Sequence, residues 1–170
     1  RQAAETPRLN GDFSLEAWAA QGAYPWNWCP IVTQQRDEQV GYSFGVGPRG
    51  QIRLQVAVDG TWQSCTSEDW VLPLRKWIHI IGTFETGKGI ALYANGENVG
   101  RLEVKGQVTF AQDIDLRIGT NHSLKKPSNI HREHGTVPSF WCLDGAIDEL
   151  KLYNRALSPE DVSKAVALAG

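Results

Sequence analysis

Residues 51–58, Gln-Ile-Arg-Leu-Gln-Val-Ala-Val, alternate between apolar and polar almost without a break. In an extended strand successive side chains point to opposite faces. Ile52, Leu54, Val56 and Val58 therefore share one side, and Gln51, Arg53 and Gln55 the other. A strand with one apolar face has to be covered by another layer. The same period of two recurs at 12–19, where Phe13, Leu15 and Ala17 oppose Ser14, Glu16 and Trp18, and again at Gly41–Val46. Trp77 to Phe84 reads as a buried strand, and Ile90–Ala94 runs into Asn95-Gly96, a tight hairpin turn. Strands at 98–104, 114–119 and 146–153 bring the total to about ten. The breaks between them are turn formers, such as Gly-Pro-Arg-Gly at 47–50 and Asp59-Gly60. Only the tail reads as a helix. Ser158 offers a capping hydroxyl, Pro159 fits the first helical position, and Glu160 and Asp161 fall in the first turn. The pattern predicts an all-β fold, an antiparallel β-sandwich with a short C-terminal helix.

Composition narrows the class. With 170 residues, 41% of them hydrophobic, the chain can bury the core of a single domain spanning 1–170. Its 17 Lys+Arg against 19 Asp+Glu give a net charge of −2, which argues against nucleic acid or an anionic membrane as partner. No apolar run approaches the roughly 18–20 residues that span a bilayer. The chain begins at Arg1 with no apolar leader, and is expected to be a domain excised from a larger protein. The three cysteines, Cys29, Cys65 and Cys142, have no C-x-x-C spacing, which excludes a zinc ribbon or a dithiol redox motif. One disulfide plus a thiol suits an oxidising compartment, and three thiols a reducing one. Alternating strand directions place all three near one rim. Cys29–Cys142 is favoured because their strands flank the same neighbour, and the other pairings stay open.

Five segments stand out in order along the chain: Phe13-Ser-Leu-Glu-Ala-Trp18, Lys76-Trp77-Ile-His79, Ala91-Leu-Tyr-Ala-Asn95-Gly96, Leu116-Arg-Ile-Gly119 and the run from Gly145 to Ser158. In these segments and their order, over residues 12–163, the chain resembles laminin-G-like domains of the concanavalin A-like lectin/glucanase superfamily. The resemblance implies a jelly roll of two curved sheets, often with a calcium ion near one edge, and places Trp18 and Trp77 in the core. Relatives of this kind are commonly carbohydrate-binding modules attached to secreted glycoside hydrolases, the fructan-binding modules beside levanase and inulinase domains being the nearest type. The resemblance thus implies a secreted, periplasmic or extracellular monomer tethered to a catalytic domain, with a polysaccharide as partner. Pentraxins share the architecture, so a protein-interaction or adhesion module is the alternative. Fold alone does not choose between them.

The glucanases of the superfamily carry Glu-x-Asp-x-x-Glu along one strand. The acid-rich run here, Asp144-Gly-Ala-Ile-Asp148-Glu149, does not reproduce it, so no catalytic residue is expected. Asp148 shares parity with Leu150 and Leu152 and is expected to face the interior, where a lone carboxylate is costly. It would either cap backbone amides or bind a hard cation. The resemblance favours calcium, with Asp12 and Asn10, at the start of the partner strand, as further ligands. His122, His131 and His134 fit no zinc pattern.

For a sugar, aromatic rings supply stacking faces while planar donors and acceptors meet the hydroxyls. Arg53 and Gln55 project beside Gly41, Ser43 and Gly45, a trough of small residues with hydrogen-bonding walls. The irregular segment 120–141 is too long for filler in a compact sandwich. The expected ligand set is Arg53, Gln55, Trp62, Asn121, His122 and Trp141, with Trp26 and Trp28 at the rim. The reading is a non-catalytic module that concentrates a linked hydrolase on a fructan-like or other glycan.

Overall fold

The structure, a computed structural model, describes residues 9–110, 113–120 and 142–168. Its strands are β1 (Phe13–Gln21), β2 (Cys29–Arg36), β3 (Val40–Val46), β4 (Ile52–Val58), β5 (Thr61–Thr66), β6 (Trp77–Glu85), β7 (Gly89–Ala94), β8 (Glu97–Leu102), β9 (Arg117–Ile118) and β10 (Gly145–Tyr153). One helix, α1 (Pro159–Leu168), follows. Two five-stranded antiparallel sheets, ordered β10-β1-β6-β7-β8 and β5-β4-β3-β2-β9, form the expected sandwich.

The alternation in the sequence becomes the division between the two faces. Phe13, Leu15, Ala17 and Ala19 of β1 meet Ile52, Leu54, Val56 and Val58 of β4 in one buried cluster. Phe13 is its aromatic hub, with ring centroids 5.3 Å from Tyr42, 5.9 Å from Phe84 and 6.0 Å from Phe110. Gly82 lets the sheets close together, since a Cβ there would sit 3.1 Å from side-chain carbons of both Leu54 and Phe44.

A second, smaller core lies on the outside of the first sheet. Ile81, Ala91 and Tyr93 are covered by Leu157 and by Val162 of α1. The helix is started as the sequence predicts: Asp161 N–H donates to Ser158 Oγ (3.1 Å) and Ser158 N–H to Asp161 Oδ2 (3.2 Å).

β9 is shorter than expected. Arg117 and Ile118 pair with β2, and before them the Gln34 side-chain amide donates to the Ile114 carbonyl (2.9 Å).

The three cysteines are free thiols. Cys29 is buried, and Cys142 lies close enough to act on its ionisation. Cys65 packs against Gly100 of β8, three strands from Cys29 in the same sheet. Burial, with a smaller effect of Cys142, pushes Cys29 up to about 12, and burial pushes Cys65 up to about 11, so both stay protonated and inert. Cys142 is exposed. In the native protein a disulfide reagent should titrate one thiol rapidly, and three only after denaturation.

Gly41 shows how tightly the β2–β3 hairpin is drawn. Its φ is +86°, and a Cβ would fall 1.8 Å from the Gln34 carbonyl oxygen. Gly41→Ala is expected to cost about 3 kcal/mol, from overpacking together with the left-handed backbone. A fall in the urea midpoint without a change in slope would show it.

Candidate functional site

The outer face of the β5-β4-β3-β2-β9 sheet carries the expected trough. Across it, Thr66, Arg53 and Gly45 are in register, as are Ser64, Gln55, Ser43 and Thr33. Gly45 floors the hollow because a Cβ would meet the Cys29 carbonyl oxygen at 2.5 Å and Pro30 Cα at 2.8 Å. The Arg53 guanidinium lies over the Trp28 ring, its Cζ 3.8 Å from the centroid. That stacking fixes a planar donor that would otherwise sample many rotamers. Burial draws Arg53 down to about 10, with Glu38 acting in the opposite sense, so it remains a cation at neutral pH.

Trp28 is itself held in place. Its N–H donates to Asn27 Oδ1 (2.8 Å), and its ring packs so closely on Gly47 that a Cβ there would stand 2.7 Å away. The β3–β4 turn beneath is braced by Gln51, which accepts from Arg49 N–H (3.0 Å) and donates to Asp69 Oδ1 (2.7 Å). The hollow bounded by Trp28, Pro30, Ser43, Gly45, Arg53 and Gln55 encloses about 40 Å³. That volume holds a water or a single hydroxyl group, not a whole sugar ring. The site is a shallow contact strip.

Trp62 lies on the same face, opposite Ala57, and its indole N–H is buried with no acceptor among the described residues. Trp26 is half-buried in the loop that carries Trp28. The structure thus brings Arg53, Gln55 and Trp28 together, with Trp62 along the same sheet face. Asn121, His122 and Trp141 lie outside the described residues.

The expected metal set does not assemble. A β-bulge separates the pairs Glu16–Lys151 and Trp18–Asp148, and Glu149, with φ +49°, is the extra residue. The bulge reverses the parity of β10, so Ile147 faces the core and Asp148 is exposed on the outer face. Asp148 Oδ1 accepts from the Glu149 N–H (2.8 Å). Asp12 caps elsewhere, accepting from Thr86 N–H (2.7 Å), while Asn10 N–H donates to Asn154 Oδ1 (3.0 Å). Asp12 and Asp148 are separated by six residues of β1, about 20 Å at the strand rise. These three residues do not fit one calcium ion, and no group of three or more His, Cys, Asp or Glu among the described residues could hold a metal.

The sequence matches the family model described as the concanavalin A-like lectin/glucanases superfamily over residues 2–163. The chain belongs to that superfamily. No curated protein sequence matches it. Among solved structures it is similar to the binding domain of botulinum neurotoxin DC in complex with SialylT, at 11% identity and a TM-score of 0.62, covering 95% of this chain and 36% of that one. It is also similar to the botulinum neurotoxin serotype C1 binding domain, at 12% identity and a TM-score of 0.62, covering 94% and 37%. The chain spans little more than a third of either neighbour, and at this identity the likeness is one of fold.

The opposite sheet holds a polar cluster that strand alternation alone did not reveal. Trp18 and Trp77, expected in the core, point outward, and Trp77 is 49% exposed. Beside them Glu16 is buried, 1% exposed. It accepts from Tyr153 Oη (2.6 Å) and Lys151 Nζ (3.1 Å), and His79 Nε2 lies 3.1 Å from the same carboxylate. Burial alone would raise the Glu16 carboxyl. The hydrogen bonds from Tyr153, His79 and Lys151 outweigh it and leave Glu16 below its ordinary value of 4.5. A carboxyl lowered by folding stabilises the native state fully above that ordinary value, and the contribution is lost as pH falls through the lower native value. Wild-type stability should therefore drop below about pH 4.5, while Glu16→Gln, less stable at neutral pH, should show a flatter acid limb in urea melts across that window.

Proposed function

We propose that this chain is a non-catalytic carbohydrate-binding module that works outside the cell and holds a linked glycoside hydrolase on a polysaccharide, a fructan-like glycan first among the candidates. The observation that carries the reading is the Arg53 guanidinium stacked at 3.8 Å on Trp28, beside Gln55 and above a floor that only glycine fits. A planar donor fixed in advance next to an amide matches the paired hydroxyls of a sugar and loses little entropy on binding. The superfamily, and fold neighbours described as binding domains, support the general class. Because the strip is shallow, affinity in isolation is expected in the micromolar to millimolar range, and tethering rather than contact area supplies retention.

Affinity electrophoresis through gels containing fructan, arabinan or galactan tests this. Wild-type protein should be retarded in one of them, and Arg53→Ala should weaken binding about tenfold, the loss of roughly 1.4 kcal/mol from a charge-assisted contact. Unretarded wild-type protein in every gel, or release of hydrolysis products, would overturn the proposal.

A further inference from the structure

A second concavity, walled by aromatic side chains, lies on the other sheet. A cleft of about 720 Å³ runs between the outer face of β10-β1-β6 and helix α1, within the range of roughly 300–1,000 Å³ typical of small-molecule sites. One wall is Trp18 and Trp77. Trp18 pairs with His79, and Trp77 lies two residues further along β6, so the two indoles are diagonal cross-strand neighbours on one face. Leu157 and Ala165 line the other side. The floor is the Glu16 cluster, fixed by hydrogen bonds that join side chains of β1, β6 and β10.

The lining suits a polyhydroxylated ligand and not an anionic one. It contains four carboxylates and three Lys or Arg side chains, so no cationic patch is present to hold an acid. The cations are largely matched already: Lys151 lies 3.1 Å from Glu16 and 3.4 Å from Glu149, and Arg155 lies 2.6 Å from Asp161. What these pairs leave over are single donors and acceptors. Lys151 has a third N–H, and the Tyr153 hydroxyl, which donates to Glu16, keeps its acceptor lone pairs. Asp148 spends one oxygen on the Glu149 amide and presents the other at the rim. Stacking faces beside scattered, charge-balanced hydrogen-bonding groups are what the C–H face and hydroxyls of a sugar ring require.

We propose that this cleft is a second saccharide site, for a neutral hexose-type ring or short neutral glycan, independent of the Arg53 strip. It shares with the reading above the choice of glycan as ligand but uses none of the same residues. Two sites on opposite faces would make the module bivalent toward a polysaccharide.

The test compares wild type, Arg53→Ala, Trp77→Ala, Asp148→Ala and the Arg53/Trp77 double variant in gels of neutral polysaccharide and of a matched uronic-acid polymer. Trp77 and Asp148 are exposed, so an unchanged melting temperature is expected and is checked first. Residual retardation of Arg53→Ala on the neutral polymer, its loss in the double variant and a roughly tenfold weakening by Trp77→Ala would support the cleft. So would perturbation of the Trp18 and Trp77 indole N–H resonances by neutral oligosaccharide in Arg53→Ala. If Arg53→Ala abolishes all binding, or Trp77→Ala and Asp148→Ala bind as wild type, the second site is overturned while the carbohydrate reading stands. If only the cleft variants lose binding, the cleft is upheld and the Arg53 strip is not the site. Stronger retardation by the uronic-acid polymer would overturn the neutral specificity. A wild type that no glycan retards removes both proposals.

Discussion

One buried carboxylate organises the outer face of the first sheet. Glu16 stands on β1 between β10 and β6, and its oxygens collect Lys151 and Tyr153 from one neighbour and His79 from the other. A carboxylate removed from water is tolerable only when such partners surround it, and here they come from both flanking strands. Those partners also fix the sheet's register, because each reaches Glu16 from one pairing position. Ser14, two residues earlier on the same face, receives the Leu157 N–H (2.8 Å) and donates to the Arg155 carbonyl (3.0 Å), which seats the segment leading into α1. The cleft, the helix and the aromatic wall all take their positions from this short stretch of β1.

The two faces that could meet a ligand are built differently. On the β5-β4-β3-β2-β9 sheet the polar row is open and shallow, and its one preorganised feature is the guanidinium held against an indole. On the other sheet, a helix laid across the strands adds depth. The same sandwich thus offers a flat contact surface and an enclosed one. Which of them a given relative uses depends on surface residues and not on the core.

Most of the strands were legible in the sequence because their alternation is imposed by the core itself: Leu15, Leu54 and Ile80 each lie fully buried. The Ser158 cap was legible for a similar reason, since its hydroxyl serves a purely local need. What alternation could not show was the bulge on β10. A glycine would have flagged the left-handed residue, but Glu149 occupies it, so parity counted from Leu150 puts Asp148 on the wrong face. Trp77 misled differently. Ile78 and Ile80 are its inward neighbours, and the strand reads as buried on both faces because Ile81 on the outer face is covered by the helix. The Arg53–Gln55 trough was legible from side-chain size and polarity. The Trp28 stacking that shapes it was not, because it depends on how a loop returns over Gly47.

The pairing of β1 with β10 carries a consequence for how the chain comes into being. The first strand cannot gain its outer partner until residues 145–153 have been synthesised, so during translation its amide edge waits unpaired beside apolar side chains. Closure across so many intervening residues is entropically slow, and an unfilled edge is a place where another chain can add itself. For this sandwich the vulnerable moment is therefore birth at the ribosome, and a truncated product ending before β10 would be more prone to aggregate than its missing length alone suggests.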